Sequence, residues 1–563
     1  MAAGARSSPS HSPGWQSTQT SLNLIMVWQG ALALGLAAAA LGAAAGPWLA
    51  DQSAFLRSGA AALLGLGALA SGYAVWALAQ RRPAGRVAAV LVNYLAAVLA
   101  LLLALHVLGV YLALDALAGT FGRGLPWLGV VFLGYLVGTL GDRFEGTPRE
   151  RLPREIGRWV MIAGLLGFLY AVDAISGLIW FTGQLAAQPL GAGLLVLAAV
   201  CAAVLRLAWS RAVAESLNAS HMQEELLNGY IFLSPNLLGF LIFFAGPLIL
   251  SLYISTTTTR GAERDIFVGL DNYVRIFNVT IQPLASPDQP AREVVDVARY
   301  TEAFRVQAGG RAWLVAAQEP RFWIALRNTL VFVVLAVPLS VIPALILATI
   351  LNSKLPGMAV YRAIFFIPSI AAVVGIALVW RWLYDSTTGW INYFITLAVQ
   401  AANSLGMAAT DPRIQWLNSA DTALLAVAIM AVWQTTGFNS VLFLAGLQNV
   451  PGELYEAATV DGAGSLQKFW GITLPMLAPT TFFVVSTTTI AALQVFEQVY
   501  ILTNPPGSPS DATLTLVLYL YQEGFNRFDF GFAAAVAWVL FAVIFLFTLV
   551  QFQRNRQSSL YEG

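Results

Sequence analysis

The residues of this sequence that could do chemistry are mostly polar and aromatic, and they interrupt two apolar runs in its second half. The candidates for lining a solute path are Trp433, Gln434, Gly437, Asn439, Ser440, Gln494, Phe496 and Glu497. Aromatic faces cover the apolar side of a sugar ring, and amide or hydroxyl groups bond its hydroxyls, so the set suits a neutral polyol. The same residues could instead bond neighbouring helices or face a water-filled cavity.

Three ionisable residues lie inside apolar runs. A charge deep in hydrocarbon costs about 2.5–3.5 kcal/mol on insertion scales, so we expect Glu497 to face a cavity or a basic partner. His106 and Asp173 could form a structural pair or part of a proton relay. The structural pair is favoured because no chain of further carboxylates accompanies them.

A polar segment between two apolar runs, NVPGELYEAATVDGAGSLQKFWGITLPMLAPT (449–480), predicts a helix, a turn and a second helix. Glu453 places an acid in the first turn of the first helix. Gly462 and Gly464 permit a tight bend, and Pro475 ends the second helix. The segment is either an ordinary amphipathic connector or a surface for another protein.

Four residues of that segment favour a protein partner. Ala457 and Ala458 give a narrow helix face that could enter a cleft, and Glu456 and Asp461 offer charge to an Arg or Lys of the partner. Physical chemistry alone leaves both interpretations open.

Composition places these residues in a membrane protein. Of 563 residues 58% are hydrophobic and 10% charged, with a mean hydropathy of +0.70. Soluble proteins carry about 25% charged residues, so a polytopic membrane protein is predicted. The net charge of +1 gives no reason to expect nucleic acid as a partner.

Several chemistries lack their residues in this sequence. The three histidines are scattered, so no metal site is predicted. The only lysines are Lys354 and Lys468, and neither follows a Gly-rich phosphate-binding loop. We therefore expect a chain that is not an enzyme, has no catalytic residue and binds no cofactor.

Twelve apolar segments are long enough to cross a bilayer, for which about 20 residues suffice. They lie near 25–47, 59–79, 87–113, 125–141, 159–182, 190–209, 229–254, 326–352, 362–384, 420–446, 479–501 and 531–552. An all-α fold of about 12 transmembrane helices is predicted.

Basic residues predict the orientation, because cytoplasmic loops are enriched in them. The loops after even-numbered spans and the C-terminal tail hold Arg81, Arg82, Arg86, Arg143, Arg149, Arg151, Arg154, Arg158, Arg206, Arg211, Lys354, Arg362, Lys468, Arg554 and Arg556. Both termini and the 449–480 loop are therefore expected in the cytoplasm, and the loop 255–325 outside.

The 449–480 loop resembles a known motif. Glu456-Ala457-Ala458, then Asp461-Gly462-Ala463, then Ile472-x-Leu474-Pro475 resembles the EAA loop of ABC importer membrane subunits, with the spacing of maltose-type carbohydrate permeases. The resemblance covers about 220–555, including segments 230–255, 267–277, 322–332, 361–384, 432–458 and 525–541. One departure is Thr503-Asn504-Pro505-Pro506-Gly507, where the family usually has Thr-x-Gly-Gly-Pro, so that external turn is expected to differ in shape.

Composition and the apolar spans predict the first part of the domain organisation, and the resemblance implies the second. A disordered cytoplasmic tail, 1–22, would precede an N-terminal membrane extension of about six helices, 23–215. A six-helix permease core, 216–563, would follow and carry the external loop 255–325. Within that loop, the insert 279–320 would dock a substrate-binding protein or serve as a lid or spacer.

The resemblance also implies a function: a multi-pass inner-membrane subunit that forms the translocation path for a carbohydrate. Segment 453–475 would dock as a coupling helix on a separate ATPase dimer, which binds ATP and Mg²⁺. The coupling residues would be Glu456, Ala457, Ala458, Asp461, Gly462 and Pro475. Further partners would be a second permease subunit and an extracytoplasmic binding protein. The alternative is a proton-coupled secondary transporter of a polar solute, against which the unlike halves of the sequence argue.

Overall fold

The computed structural model describes residues 13–46, 54–141, 151–260, 266–309, 311–353 and 356–559. Within these ranges nine helices are long and apolar enough to cross a membrane, or up to twelve if three bent pairs each count as one span. The predicted all-α polytopic fold is confirmed. Residues 1–12 of the predicted tail, and Arg143, Arg149 and Lys354, lie outside the described residues, and the orientation of the termini stays a prediction.

The chain divides into two compact units, Met1–Phe240 and Leu241–Gly563. The helices of the first unit are α1 (Pro13–Ala45), α2 (Ala54–Ala79), α3 (Pro83–Val107), α4 (Val110–Leu140), α5 (Arg151–Ala171), α6 (Ala174–Ala187), α7 (Pro189–Trp209), α8 (Arg211–Ser216) and α9 (His221–Phe240). The predicted domain boundaries stay predictions. The predicted tail, however, is helical from Pro13, because Leu22 and Ile25 on the same helix are buried in the core of this unit.

Glycines allow α4 and α5 to pack closely. A Cβ atom on Gly157 would lie 2.5 Å from the backbone nitrogen of Gly138, and one on Gly134 would lie 2.6 Å from that of Met161. Small residues at such contacts are the usual means of helix association in lipid, where no hydrophobic effect drives it.

The predicted pair of His106 and Asp173 is wrong within the described ranges. The Asp173 carboxylate instead accepts a hydrogen bond of 2.7 Å from the Ser176 hydroxyl one turn later. The His106 ring lies against Tyr111, with 6.3 Å between centroids. The Asp173 carboxylate therefore has a local hydrogen-bond donor in place of His106.

The second unit holds the remaining elements. They are α10 (Gly246–Ile254), α11 (Asp271–Phe277), β1 (Val279–Leu284), β2 (Thr301–Ala308), β3 (Arg311–Ala317), α12 (Pro320–Leu351), α13 (Met358–Ile370), α14 (Val373–Leu383), α15 (Trp390–Ser404), α16 (Ala420–Gln448), α17 (Gly452–Val460), α18 (Ser465–Lys468), α19 (Leu474–Met476), α20 (Ala478–Leu493), α21 (Glu497–Leu502), α22 (Leu516–Tyr521) and α23 (Phe530–Ser559). Its main core surrounds α12 and α16, with Phe332, Met430, Tyr519 and Phe532 fully buried.

A small antiparallel sheet, which the sequence analysis did not predict, occupies the insert 279–320. Its strand order is β1-β3-β2, so β3 is central, and Ala317 pairs with both Val279 and Thr301. Ala312, Leu314 and Ala316 on one face of the central strand pack in a buried cluster with Leu284 of β1. Val315 and Ala317, on the opposite face, are buried as well, so both faces are covered at the end of the strand.

Several predicted spans are discontinuous. Span 159–182, for example, consists of α5 and α6, which meet at 56°. Span 362–384 consists of α13 and α14, which meet at 96° just after Pro368. The bend arises because Ala371 and Ala372 adopt extended backbone conformations, which end α13 and precede α14. Span 479–501 ends as a regular helix at Leu493 and resumes at Glu497. Irregular backbone at membrane depth is tolerated where it lines a cavity.

Candidate translocation path and coupling loop

A cavity of about 570 Å³ lies in the second unit, between α12, α16, α20 and the break before α21. Its lining residues are Phe332, Ala336, Ser340, Ala431, Thr435, Phe438, Asn439, Thr487, Thr488, Ala491, Ala492, Gln494, Val495, Phe496, Glu497 and Gln498. Four of the predicted path residues, Asn439, Gln494, Phe496 and Glu497, are therefore brought together in one lining.

Polar groups inside the cavity are held by one hydrogen bond between helices and by one within a helix. The Asn439 amide, which is 3% exposed, donates to the Thr488 hydroxyl at 3.2 Å and so joins α16 to α20. The neighbouring Thr487 hydroxyl donates to the backbone oxygen of Phe483 at 2.9 Å. These bonds fix amide and hydroxyl groups in an otherwise apolar wall, which is the usual composition of a specific ligand site.

The break before α21 supplies an acid and an aromatic ring to the same cavity. Glu497 is the first residue of α21, and within the described ranges it makes no ion pair. Phe496 packs against Tyr500 and Tyr521, with ring centroids 5.3 Å and 5.1 Å apart. The expectation that Glu497 faces a cavity agrees with this position, since a carboxylate in the lining keeps access to water.

The other four predicted path residues lie outside the lining. A Cβ atom on Gly437 would lie 2.0 Å from the Phe365 carbonyl oxygen, so this glycine permits the close contact between α16 and α13. The Ser440 hydroxyl donates to the Gly437 carbonyl at 2.7 Å, and Gln434 is buried. Trp433 lies against Trp380, with 5.7 Å between centroids. Helical periodicity explains the division, because only one face of α16 can reach the cavity.

Sequence reasoning missed several lining residues: Phe332, Ser340, Phe438, Thr487 and Thr488. The hydroxyl run 486–489 inside an apolar segment could have indicated the last two. Phe332 and Ser340 gave no such signal, since they come from α12, which the sequence analysis treated only as an apolar span.

The 449–480 loop folds as predicted into helix, turn and helix. Helix α17 ends at Val460, and Gly462 adopts the left-handed conformation with φ of 76°. The backbone N–H of Ala463 bonds the Ala458 carbonyl at 2.9 Å, and that of Gly462 bonds the Thr459 carbonyl at 3.1 Å. This pair of bonds defines a Schellman turn, for which glycine is preferred.

The coupling loop, residues 453–475, is tied together by two side-chain bonds. The Lys468 ammonium donates to the Thr459 hydroxyl at 2.7 Å, and the hydroxyls of Tyr455 and Thr473 lie 2.9 Å apart. Both bonds join the first helix to the second. The loop is therefore a defined hairpin of helices.

The surface of the coupling loop is open and partly apolar. No residue of α17 is buried, and Glu456, Ala457, Asp461, Gly462 and Pro475 are exposed while Ala458 is half-buried. Three apolar side chains that the sequence analysis did not single out are also exposed: Val460 (88%), Leu466 (72%) and Trp470 (61%). Apolar groups left bare beside charged ones are typical of a surface that another protein covers.

The cavity and the coupling loop are connected through two helices, α16 and α20. Helix α16 carries Thr435 and Asn439 into the cavity at its middle and leads directly into the coupling loop at its end. Helix α20 leaves the loop and returns to the cavity through Thr487 and Thr488. This arrangement, a cavity in a helical membrane unit whose lining helices lead into a helix–turn–helix hairpin, is the one expected of a permease subunit.

Comparison with known proteins agrees with that class. Residues 314–558 match the profile of the family described as binding-protein-dependent transport system inner membrane component. The probable ABC transporter permease protein YesP of Bacillus subtilis (strain 168) is 33% identical over 345 residues, which are 61% of this chain and 94% of that protein. The chain belongs to this family of ABC importer permeases.

Other relatives have more specific names. The lactose transport system permease protein LacF of Rhizobium radiobacter is 31% identical, covering 59% of this chain and 95% of that protein. The trehalose/maltose transport system permease protein MalF of Thermococcus litoralis is 31% identical, covering 58% and 93%. A solved bacterial ABC transporter involved in import of the polysaccharide alginate has a chain that matches at 20% identity and a TM-score of 0.43, covering 58% of this chain and 94% of that chain. Family membership favours the importer over the proton-coupled transporter.

Proposed function

We propose that this chain is the path-forming membrane subunit of an importer for an oligosaccharide or sugar, driven by a separate ATPase dimer. The proposal depends mainly on the exposed, partly apolar surface of the coupling loop. This loop connects α16 and α20, two helices that line the cavity. A partner protein that binds this loop would move α16 and α20 together. Closure of the ATPase pair on ATP and Mg²⁺ would then open the cavity to the opposite side of the membrane.

The substrate class follows from the cavity and from the relatives. Amide and hydroxyl groups at Asn439, Thr488 and Gln494 would bond sugar hydroxyls, and the Phe496 ring would cover an apolar sugar face. Glu497 would accept hydrogen bonds from hydroxyls on the same ligand. Lactose, trehalose or maltose, and arabinooligosaccharides appear in the names of relatives.

A second permease subunit would complete the path. The span His221–Ile254 has none of its most apolar window buried inside the chain. Phe232 is 91% exposed and Phe243 81% exposed. We expect one face of this exposed span to contact lipid and the other to pack against a helix of the second permease subunit. On the face where the sheet β1–β3 lies, an extracytoplasmic binding protein would deliver the ligand.

The ATPase must come from another chain under this proposal. The two lysines of the sequence, Lys354 and Lys468, are not part of a phosphate-binding loop. Within the described residues, Lys468 bonds Thr459 and so serves the coupling hairpin. ATP and Mg²⁺ would therefore be held by the partner.

Reconstitution tests the proposal. The chain is placed in proteoliposomes with its ATPase, sister permease and binding protein, and uptake of lactose, maltotriose and arabinotriose is measured. Glu456→Lys combined with Ala458→Trp should lower uptake and ligand-stimulated ATP hydrolysis by about tenfold or more, since truncation of central interface residues costs at least about 2 kcal/mol. Glu453→Lys, on the same exposed helix, should leave both largely intact.

Two results would overturn the coupling role. One is normal uptake by the double variant. The other is labelling of a cysteine placed at residue 456 by a membrane-impermeant reagent added outside the cell. Failure of all three saccharides to enter through an otherwise active complex would instead overturn the substrate class.

A further inference from the structure

A second cavity lies in the segment between α14 and α16, at the end of α16 remote from the coupling loop. It measures about 770 Å³, and its lining residues are Ser386, Thr387, Thr388, Trp390, Asn392, Tyr393, Thr396, Arg413 and Gln415. We call it the α15 cleft. All of these side chains are hydroxyl, amide, aromatic or guanidinium groups, and the lining includes no carboxylate.

One buried side chain fixes the walls of the α15 cleft. Asn392, which is 6% exposed, donates to the carbonyl of Ser386 at 3.1 Å and to that of Ile414 at 2.9 Å. Its amide oxygen accepts the indole N–H of Trp416 at 3.0 Å. Since Ser386 belongs to one wall and Ile414 to the other, Asn392 sets the width of the cleft before any ligand arrives.

Each wall is also fixed internally by an aspartate. One carboxylate oxygen of Asp385 accepts the backbone N–H and the hydroxyl of both Thr387 and Thr388, at 2.7–2.9 Å. These bonds, with that from the Thr388 N–H the strongest, hold the pKa of Asp385 well below its usual range. In the other wall, Asp411 accepts the Thr396 hydroxyl at 2.7 Å and the Arg413 backbone N–H at 3.1 Å. Arg413 is thereby held at a φ of 38°.

The rigid cleft contains polar groups that are not engaged. Within the described part of the chain, the side chains of Trp390, Tyr393 and Gln415 make no hydrogen bond. The Arg413 guanidinium makes none either, although its charge, together with the larger effect of the threonine hydroxyl bonded to Asp411, lowers the pKa of that carboxyl. The two aromatic residues are 54% and 63% exposed. Together the four side chains supply an indole N–H, a phenol hydroxyl, a guanidinium and an amide, and two of them also supply an aromatic ring. A fixed frame with free groups directed at one space is the arrangement of a preformed ligand site.

The chemistry of these groups selects the ligand. Aromatic rings cover the apolar face of a pyranose, and the planar Arg413 fork can donate to two adjacent oxygens at once. A lipid tail would need an aliphatic wall, and a metal cation would need carboxylate or carbonyl ligands directed inward. The volume lies in the range of about 300–1,000 Å³ that small-molecule sites occupy. A saccharide satisfies every free group.

We propose that the α15 cleft is a second saccharide site, which holds the incoming sugar before it reaches the central cavity. The inference rests on the proposed function in two respects: that the ligand is a saccharide, and that the cleft lies on the side of the membrane from which substrate arrives. That the ligand binds in this cleft is inferred from the geometry of the cleft itself. Because α16 crosses the membrane once between the two features, a coupling loop on the cytoplasmic side places the α15 cleft on the side from which substrate arrives.

Equilibrium binding to the full chain in lipid nanodiscs tests the proposal. Lactose, maltotriose, arabinotriose and trigalacturonate are titrated as probes, the last to determine whether Arg413 prefers an acidic sugar. We expect at least one probe to bind, and Trp390→Ala and Arg413→Gln each to weaken that binding about tenfold or more. Leu397→Ala and Arg381→Gln are the matched controls, since both residues are exposed, on α15 and α14, but do not line the cleft.

The possible outcomes separate this inference from the proposed function. Unchanged affinity in both cleft variants, with loss only in Asn439→Ala or Glu497→Gln, would confine sugar binding to the central cavity and overturn the inference. Absence of binding by every probe would overturn it as well, and uptake by the complete transporter would then decide the proposed function separately. If the cleft variants lose the binding protein in co-sedimentation but keep sugar affinity, the surface docks protein and the inference fails.

Discussion

The two ends of the second unit are built differently. At the end remote from the coupling loop, Arg321 holds Asp511 through two bonds of 2.9 Å and 3.0 Å, and Arg260 pairs with Asp529 at 3.1 Å. Arg275 pairs with Glu319, and Glu523 with Arg527 at 2.8 Å. We call these ion pairs the ionic end. The coupling loop, by contrast, is connected by two bonds within itself and leaves its apolar side chains bare.

The difference indicates how the unit would work. The ionic end joins the start of α12 to the segments around α22, so that the elements facing the cavity from that side are fixed relative to one another. The coupling loop is defined in shape but exposed, so that a partner can hold it. The comparison predicts that changes at the ionic end affect stability, whereas changes in the coupling loop affect coupling.

The largest effect on stability is expected at Arg321. Arg321→Met would remove two charge-assisted bonds to Asp511 and a third, of 2.8 Å, to the amide oxygen of Gln522, and would leave the half-buried Asp511 without its arginine. The loss should lower the free energy of unfolding by about 1.5–3 kcal/mol. Thermal unfolding of the purified chain measures the loss. Arg292→Met, at an exposed arginine without an ion pair among the described residues, is the control and should change little. Equal unfolding temperatures for the two variants would contradict the role of the ionic end.

A smaller effect is expected at Gly462, which sets the turn of the coupling loop. The methyl group that Gly462→Ala introduces would meet no other atom within 4 Å. The alanine would, however, have to adopt the left-handed conformation, which should destabilise the turn by about 1–2 kcal/mol. The strain should loosen the hairpin and lower ligand-stimulated ATP hydrolysis in the complete transporter. Gly471→Ala, also in open space but without a positive φ, is the matched control. If both variants keep full stimulation, the geometry of the turn does not matter for coupling.

Lys468→Ala should have a still smaller effect. The lysine bonds an exposed threonine on the first helix, and surface substitutions usually change stability by no more than about 0.5 kcal/mol. Faster amide exchange should be confined to α17 and α18, and Lys468→Arg should restore protection. A fall in the unfolding temperature as large as that of Arg321→Met would remove the distinction between the two ends.

The last prediction concerns pH at the ionic end. Burial raises the pKa of the Glu523 carboxyl, against the opposing effect of Arg527. A raised pKa means that the Glu523 carboxyl holds its proton more tightly in the folded chain than in the unfolded chain. The protonated carboxyl therefore stabilises the fold at low pH. This stabilisation is lost as the pH rises from about 4.3, the ordinary pKa of Glu, through the raised pKa of the folded chain.

Glu523→Gln should remove that dependence. Unfolding midpoints of the wild type and the variant, measured from about pH 4 to pH 7, should therefore diverge, with the wild type losing stability relative to the variant as the pH rises. A difference that stays constant with pH, or one that changes in the wild type's favour, would contradict the raised pKa.

The sequence alone predicted much of the fold because a bilayer imposes a simple rule. Each of the twelve predicted segments contains helix, since any backbone that crosses hydrocarbon must satisfy its own hydrogen bonds. The coupling loop was predicted from local constraints of the same kind: Gly462 permits the left-handed turn that other residues avoid, and Pro475 fixes its own φ angle and removes a backbone donor. The sheet in the insert escaped prediction because its strands are stabilised by pairing between residues as distant as Val279 and Ala317.

Within the candidate path, the sequence supplied the residue types and the tertiary structure decided their roles. Asn439 and Gly437 lie on the same helix, yet only Asn439 lines the cavity, because the Phe365 carbonyl occupies the space beside the glycine. The breaks at residues 371–372 and 494–496 depend on neighbouring helices that accept an irregular backbone. The α15 cleft depends on Asn392 bridging two segments separated along the chain. Composition and local constraint thus determined which segments enter the membrane, whereas contacts between distant segments determined which side chains share a cavity.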